Sequence, residues 1–385
     1  PQPYFDPWLA EDKVDVFAPV TEPWAERCVW CHSTYPFEQR IARAAARPVG
    51  HGFEQQFVGP PGPKMEGAGF IPAPGVDRLV VEDQISVGIS CESCHLGGRA
   101  HAAGAPIHFV PQGARARPGA AVPTTFAMER ADATIVNTVC AQCHSGPSPR
   151  LADGTALRNS SEAIDLAASA CTTARCTDCH DPHRGGFDER RAIAACTTCH
   201  PALADPASAR LHAGHEARTS CLDCHMPKVV MGIDRFVRTH RISSPTNPKV
   251  LATAGPNACN LCHLDRSIAW TVDELRREFE VRLDPQGWKS YGDPETPVGE
   301  VWLTSAEPAL RLIAAAAYAR SPLGKLMVDE ITRGLSDPLA HVRSWTLLAL
   351  EELLHRRITV VEFDPRGSPE QRARQIVRLR ATPLR

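Results

Sequence analysis

At 385 residues the chain is long enough for one large or two ordinary domains. Its 34 prolines and 6% aromatic content argue against long regular elements wherever the prolines cluster, and against a core rich in aromatic side chains. The formal charge of −2 leaves no basic excess that would suit nucleic acid.

In chain order, residues 1–26 are Pro-rich and acidic and read as an extended arm. Its first eight residues have neither a basic start nor an apolar run, so no signal peptide is present and the chain reads as a processed one. Cys28-Val29-Trp30-Cys31-His32 follows, and then a long gap containing Gly59-Pro60-Pro61-Gly62-Pro63, a run that fits neither helix nor central strand and predicts a surface loop. After a second pentapeptide at Cys91, residues 100–119 are again loose. Beyond a third at Cys140, the Ala-rich stretch 160–170 predicts a short helix with Ser160 and Ser161 as caps. Four more pentapeptides start at Cys176, Cys196, Cys221 and Cys259. The character then changes: 267–283 predicts an amphipathic helix with Ile268, Val272, Leu275 and Phe279 on one stripe. A Pro- and Gly-rich connector, 284–297, leads to expected helices over 306–319, 323–335 and 337–355, the last with Val342, Trp345, Ala349 and Leu353 on one face. The longest apolar run, 312–319, falls far short of a membrane span.

The seven pentapeptides, numbered here motifs 1 to 7, all read C-x-x-C-H and use fourteen of the fifteen cysteines. This is the attachment signature of a c-type haem: two thiols form thioethers with the porphyrin vinyl groups, and the adjacent His binds the iron from one face. The thioether cysteines are Cys28, Cys31, Cys91, Cys94, Cys140, Cys143, Cys176, Cys179, Cys196, Cys199, Cys221, Cys224, Cys259 and Cys262. The proximal ligands are His32, His95, His144, His180, His200, His225 and His263. Paired C-x-x-C units also bind zinc, but a zinc ribbon takes two pairs per metal, seven pairs do not divide by two, and zinc gives no reason for a His after every pair. A disulfide framework explains the His still less. The expected cofactors are therefore seven covalently bound haems, packed largely on one another because three motifs lie within fifty residues, 176–225.

Seven further His precede residue 270: His51, His101, His108, His183, His212, His215 and His240. They match seven distal ligands in number, although a lone His is ordinarily a surface or core residue. His183 follows His180 by only three residues, a reach of at most about 11 Å, too short to span a porphyrin, so it must serve a different haem. The same limit prevents His212 and His215 from sharing one iron. Met65, Met128 and Met226 are rival ligands for one site at most, and Cys171, outside any motif, reads as a small buried residue. His341 and His355 lie in the helical tail and read as surface residues.

Two phrases go beyond the bare motif. Gly88-Ile89-Ser90-Cys91-Glu92-Ser93-Cys94-His95, followed by Gly97-Gly98-Arg99 and His101, resembles the phrase CE-x-CH-x-G-x-x-x-H of the superfamily that holds hydroxylamine oxidoreductase, pentahaem nitrite reductase and the tetrahaem cytochrome c of ammonia oxidisers. Cys221 to His225 with Met226-Pro227, and His240 before Pro245, is similar to the closing phrase of that superfamily. The resemblance implies that His101 and His240 are axial ligands to neighbouring haems. It covers roughly residues 25 to 270. The departures matter, because all seven motifs end in His where nitrite reductase carries a Lys, and none of Tyr4, Tyr35, Tyr291 and Tyr318 stands in a recognisable catalytic phrase. In the tail, Ser336-Asp337-Pro338 through Leu350 resembles a HEAT repeat.

The expected fold is mainly α with much irregular structure: a multihaem cytochrome c domain over 1–270, organised around stacked haems, and a small α-helical HEAT-like region over 271–385. The expected function is single-electron transfer along mostly bis-His haems to or from a redox partner protein, another cytochrome or a membrane complex. The location would be the periplasm or cell exterior, with no transmembrane segment, no nucleic acid and a homo- or hetero-oligomer left open. The alternatives are an oxidoreductase with one open haem acting on a nitrogen or sulfur oxyanion, and a structural subunit of a larger cytochrome complex or filament.

Overall fold

The computed structural model describes residues 29–35, 85–95, 102–104, 133–145, 148–171, 173–215 and 219–381. The described residues are mainly helical, with two short antiparallel strand pairs. Cys28, His51, His101, His108, Met65, Met128 and the run 59–63 lie outside them. The chain forms two compact units, one comprising 22–147 and 160–200, the other 1–21, 148–159 and 201–385.

The first unit is built from short elements. Helix α1 (Val29–His32) runs into β1 (Ser33–Thr34), which pairs antiparallel with β2 (Ser86–Val87) ahead of α2 (Glu92–His95). The longest helix among the described residues here, α3 (Ala133–His144), packs against α1 and α2, against α4 (Glu162–Ala167), and against α5 (Cys176–Cys179). Helix α6 (Glu189–Cys199) follows, and contacts α5. Polar bonds tie these pieces together where apolar side chains are few. The Thr34 and Ser93 hydroxyls bond at 2.7 Å, and the Asn137 side chain donates to the Ala174 carbonyl (2.9 Å) while accepting from the Cys176 amide (2.8 Å). The helix expected behind Ser160 and Ser161 is present as α4, but Ser161 makes no side-chain cap. Instead the Glu162 carboxylate accepts from the Ser160 amide at 2.9 Å.

The second unit holds α7 (Pro206–Ala213), α8 (Cys221–His225), the hairpin β3 (Lys228–Met231) and β4 (Phe236–Arg238), α9 (Pro248–Ala252), α10 (Ala258–Cys262) and α11 (Ile268–Phe279). After these come α12 (Val298–Leu303), α13 (Pro308–Ala319), α14 (Val328–Thr332), α15 (Ala340–Leu354) and α16 (Pro369–Ala381). Helix α11 starts as expected, with the Ser267 hydroxyl accepting from the Trp270 amide. It stops at Glu280 in a left-handed conformation, short of residue 283. The connector contains a 3-10 turn, Pro285–Tyr291, and α12 was not expected. The stretch 323–335 is no single helix; it breaks into the 3-10 turn Pro322–Leu326, α14, and the 3-10 turn Arg333–Ser336. Val342, Trp345, Ala349 and Leu353 are all buried, as the stripe on α15 requires.

One apolar core runs through this unit, from Leu151 and Val230 through Leu264, Ile268 and Trp302 to Ile313, Trp345 and Ile376. The expected boundary at 270 therefore lies inside a unit. Residues 201–270 share their core with the tail helices because the apolar faces of α12 and α13 have nowhere else to be buried. His341 is 8% exposed, a buried residue where a surface His was expected.

Candidate haem-attachment sites

Motifs 2, 4, 5 and 7 share one local geometry, closed by a hydrogen bond from the His amide to the carbonyl of the first Cys, at 2.8 to 2.9 Å in each. This is a single helical turn. On a helix, positions i, i+3 and i+4 lie on one face, so the two thiols and the imidazole of C-x-x-C-H all project the same way. Motifs 3 and 6 are helical too, as are the described residues of motif 1, Val29–His32; they end α3, α8 and α1 with the His in the last turn.

The turns are capped locally, as such short helices require. Asn257 opens motif 7, its side chain accepting from the Asn260 amide (2.9 Å) and donating to the Tyr291 hydroxyl (3.1 Å). Ser220 and Asp223 form a capping box at motif 6, and Arg238 donates to Asp223 at 2.8 Å, fastening the motif to β4. Asp178 accepts from the Arg175 amide at motif 4.

Burial raises the Cys179 and Cys259 thiols to about 11. None of the described cysteines is in a disulfide. Cys171, half-buried, donates its amide to the Ser169 hydroxyl.

Three motif His each face a His from outside the motifs. His95 and His183 have ring centroids 6.2 Å apart with planes 8° from parallel; His225 and His212 are 6.1 Å apart at 8°; His263 and His215 are 6.1 Å apart at 46°. Parallel rings in face contact would be separated by about 3.5 Å, and the offset needed to reach 6 Å leaves five-membered rings with no overlap. Two imidazoles binding one ion end-on from opposite sides would have this spacing. With metal–nitrogen bonds of about 2.0 Å and roughly 1.1 Å from nitrogen to ring centre, the centroids would be about 6.2 Å apart. Two opposed imidazoles supply only two ligands. Among the described residues no three His, Cys, Asp or Glu side chains converge as a metal site, and a porphyrin would bring four nitrogens of its own to a pair of His. The residues present fit haem.

The local chain explains how the non-motif His reach these positions. The Asp181 carboxylate accepts the His183 amide at 3.0 Å, turning the chain just after motif 4. His212 is in the last turn of α7, a helix capped by Asp205 and ended by Gly214 at φ 62°. That left-handed residue reverses the chain between His212 and His215, so that the two rings face different motifs. His215 Nδ1 is 2.7 Å from the Ala213 carbonyl and His225 Nδ1 is 2.9 Å from the Ser243 carbonyl, which leaves Nε2 of both rings available to a metal. His240 is half-buried beyond β4.

Motif 3 differs. Its His144 Nδ1 lies 2.9 Å from the Glu162 carboxylate, a contact that the sequence reading missed although the two residues are only 18 apart. The hydrogen bond to Glu162 raises the His144 pKa against an opposing effect of burial. Burial works to raise the Glu162 carboxyl, but its bonds to His144 and the Ser160 amide outweigh this and leave it lowered.

Motif 3 is also close to its neighbours. The Cys31 and Cys143 thiols approach each other's backbone carbonyls at 3.9 and 3.8 Å, and a hydrogen bond between the Cys140 and Cys176 thiols raises the pKa of Cys140 and lowers that of Cys176. In the second unit, Cys224 lies near Cys259 and Cys262.

Among the described residues, no helix is long and apolar enough to cross a membrane. No family model, curated protein or solved structure matches the chain.

Proposed function

We propose that this chain is a heptahaem c-type cytochrome that passes single electrons to or from a redox partner outside the cytoplasm. The observation that carries the reading is the opposition of motif and non-motif His at the spacing of two axial ligands, alongside motifs whose helical turns present two thiols and an imidazole on one face. Haem supplies a one-electron iron couple.

The chain's own residues do the rest. The cysteine pairs would hold the group, the motif His would supply one ligand to each iron, and His183, His212 and His215 would supply the second at motifs 2, 6 and 7 respectively. Two His on one iron leave no face for substrate, which favours transfer over catalysis. In this reading His51, His101, His108 and His240 complete other motifs, the haem region belongs with the multihaem superfamily that its phrases resemble, and α12 to α15 form a HEAT-like scaffold.

The test is a haem count on protein matured in a host with c-type maturation, with electron paramagnetic resonance of the oxidised form. Seven covalent haems with low-spin signals are expected. A chain without covalent haem would refute the reading; seven haems including a stoichiometric high-spin, carbon monoxide-binding site would replace it with the oxidoreductase.

A further inference from the structure

We propose that Glu162 is a positioning residue that gives the His144 ligand anionic character, so that the iron at motif 3 has a lower reduction potential than those whose His ligands lean on backbone carbonyls. This inference rests on the haem reading above.

The geometry sets motif 3 apart from motifs 6 and 7. His225 and His215 point Nδ1 at neutral carbonyls, of Ser243 and Ala213, whereas His144 points Nδ1 at a carboxylate oxygen 2.9 Å away. A carboxylate accepts a hydrogen bond more strongly than a carbonyl, and so draws the Nδ1 proton further from the ring. The ring then donates more strongly through Nε2, which stabilises the ferric iron over the ferrous and lowers the potential.

Glu162 is held for this task. Its second oxygen accepts the Ser160 amide at 2.9 Å, its side chain is 24% exposed, and it begins α4, which packs on α3. Ser160 itself has φ 67°, a conformation uncommon outside glycine, and this turn aims the Ser160 amide at Glu162.

The position matters as well. Motif 3 ends α3, which touches α1 and α5; its Cys143 lies against Cys31 of motif 1, and its Cys140 thiol against the Cys176 thiol of motif 4. A lower potential there alters how electrons distribute among the motifs around it.

The measurement is a spectroelectrochemical titration of the matured protein and of Glu162→Gln, after each has been shown to carry seven covalent haems. In Glu162→Gln one haem shifts to higher potential and the other six stay; Glu162→Asp restores the carboxylate and moves that haem back. Glu162→Gln with full haem and unchanged potentials overturns the inference while leaving the haem reading intact, whereas a wild-type chain with no covalent haem removes both. Should Glu162→Gln fail to mature, the unmutated protein decides. Its near-infrared ligand-to-iron band should contain one component at higher energy than the other His-ligated haems, and a band without that component overturns the inference.

Discussion

A C-x-x-C-H turn concentrates three reactive groups on one helical face, and the chemistry of each individual residue follows from that placement. Fourteen thiols are consumed if every motif carries haem, which leaves Cys171 alone. Alkylation of the denatured, matured protein with iodoacetamide should therefore add a single group, and peptide mapping should place it on Cys171. The distal His are equally separable. Replacing His212 with Ala removes the ring opposite His225 without touching a motif, so one haem is expected to turn high-spin and bind carbon monoxide. His215→Ala should do the same at motif 7, as a distinct signal, because the two rings face different motifs.

Among the elements, α7 and its Gly214 turn show how a small backbone feature turns two His three residues apart towards different motifs. A Cβ at Gly214 would be strained at φ 62° and would meet the Phe279 ring at 3.4 Å. Gly214→Ala should cost about 1 kcal/mol and weaken the binding of His215 more than that of His212, seen as partial high-spin character at one haem. The cap at motif 7 is a second case. Asn257 is buried, holds the Asn260 amide and reaches the Tyr291 hydroxyl, which itself donates to the Gly255 carbonyl. Asn257→Ala should destabilise the second unit by about 1–2 kcal/mol, read as a lower thermal midpoint.

In the whole molecule, the second unit joins the last motifs to the tail helices through one core. Trp302 is fully buried and donates its indole N–H to the Ala254 carbonyl at 2.8 Å, and the Gly299 amide bonds to the Leu264 carbonyl. At Gly299 there is no room for a side chain: a Cβ would collide with the Tyr318 hydroxyl and lie 2.8 Å from the Leu264 oxygen. Trp302→Ala should cost about 3–5 kcal/mol. Ending the chain near Gly287 should yield a protein lacking the haems of motifs 6 and 7, because the core under α10 would lose α12 and α13. A haem count on the truncated chain checks this, and a full set of seven would show that the tail is dispensable.

The motifs were legible in the sequence because their spacing is local chemistry: two thiols and a His within five residues need one helical turn and little else. The stripe of α15, the start of α11 and the existence of a helix behind Ser161 were legible for the same reason, since periodicity and capping act over a few residues. The sequence could also separate His183 from His180 by chain reach, but it could not say that His183 faces His95, about ninety residues earlier, or that Gly214 divides His212 from His215. The Glu162 contact was hidden likewise, because only the packing of α4 on α3 aims that carboxylate at His144. The unit boundary depended on the tertiary structure most of all. Composition changes after residue 270, yet burial is decided by which apolar faces meet, and those of α12 and α13 share a core with residues as far back as Leu151.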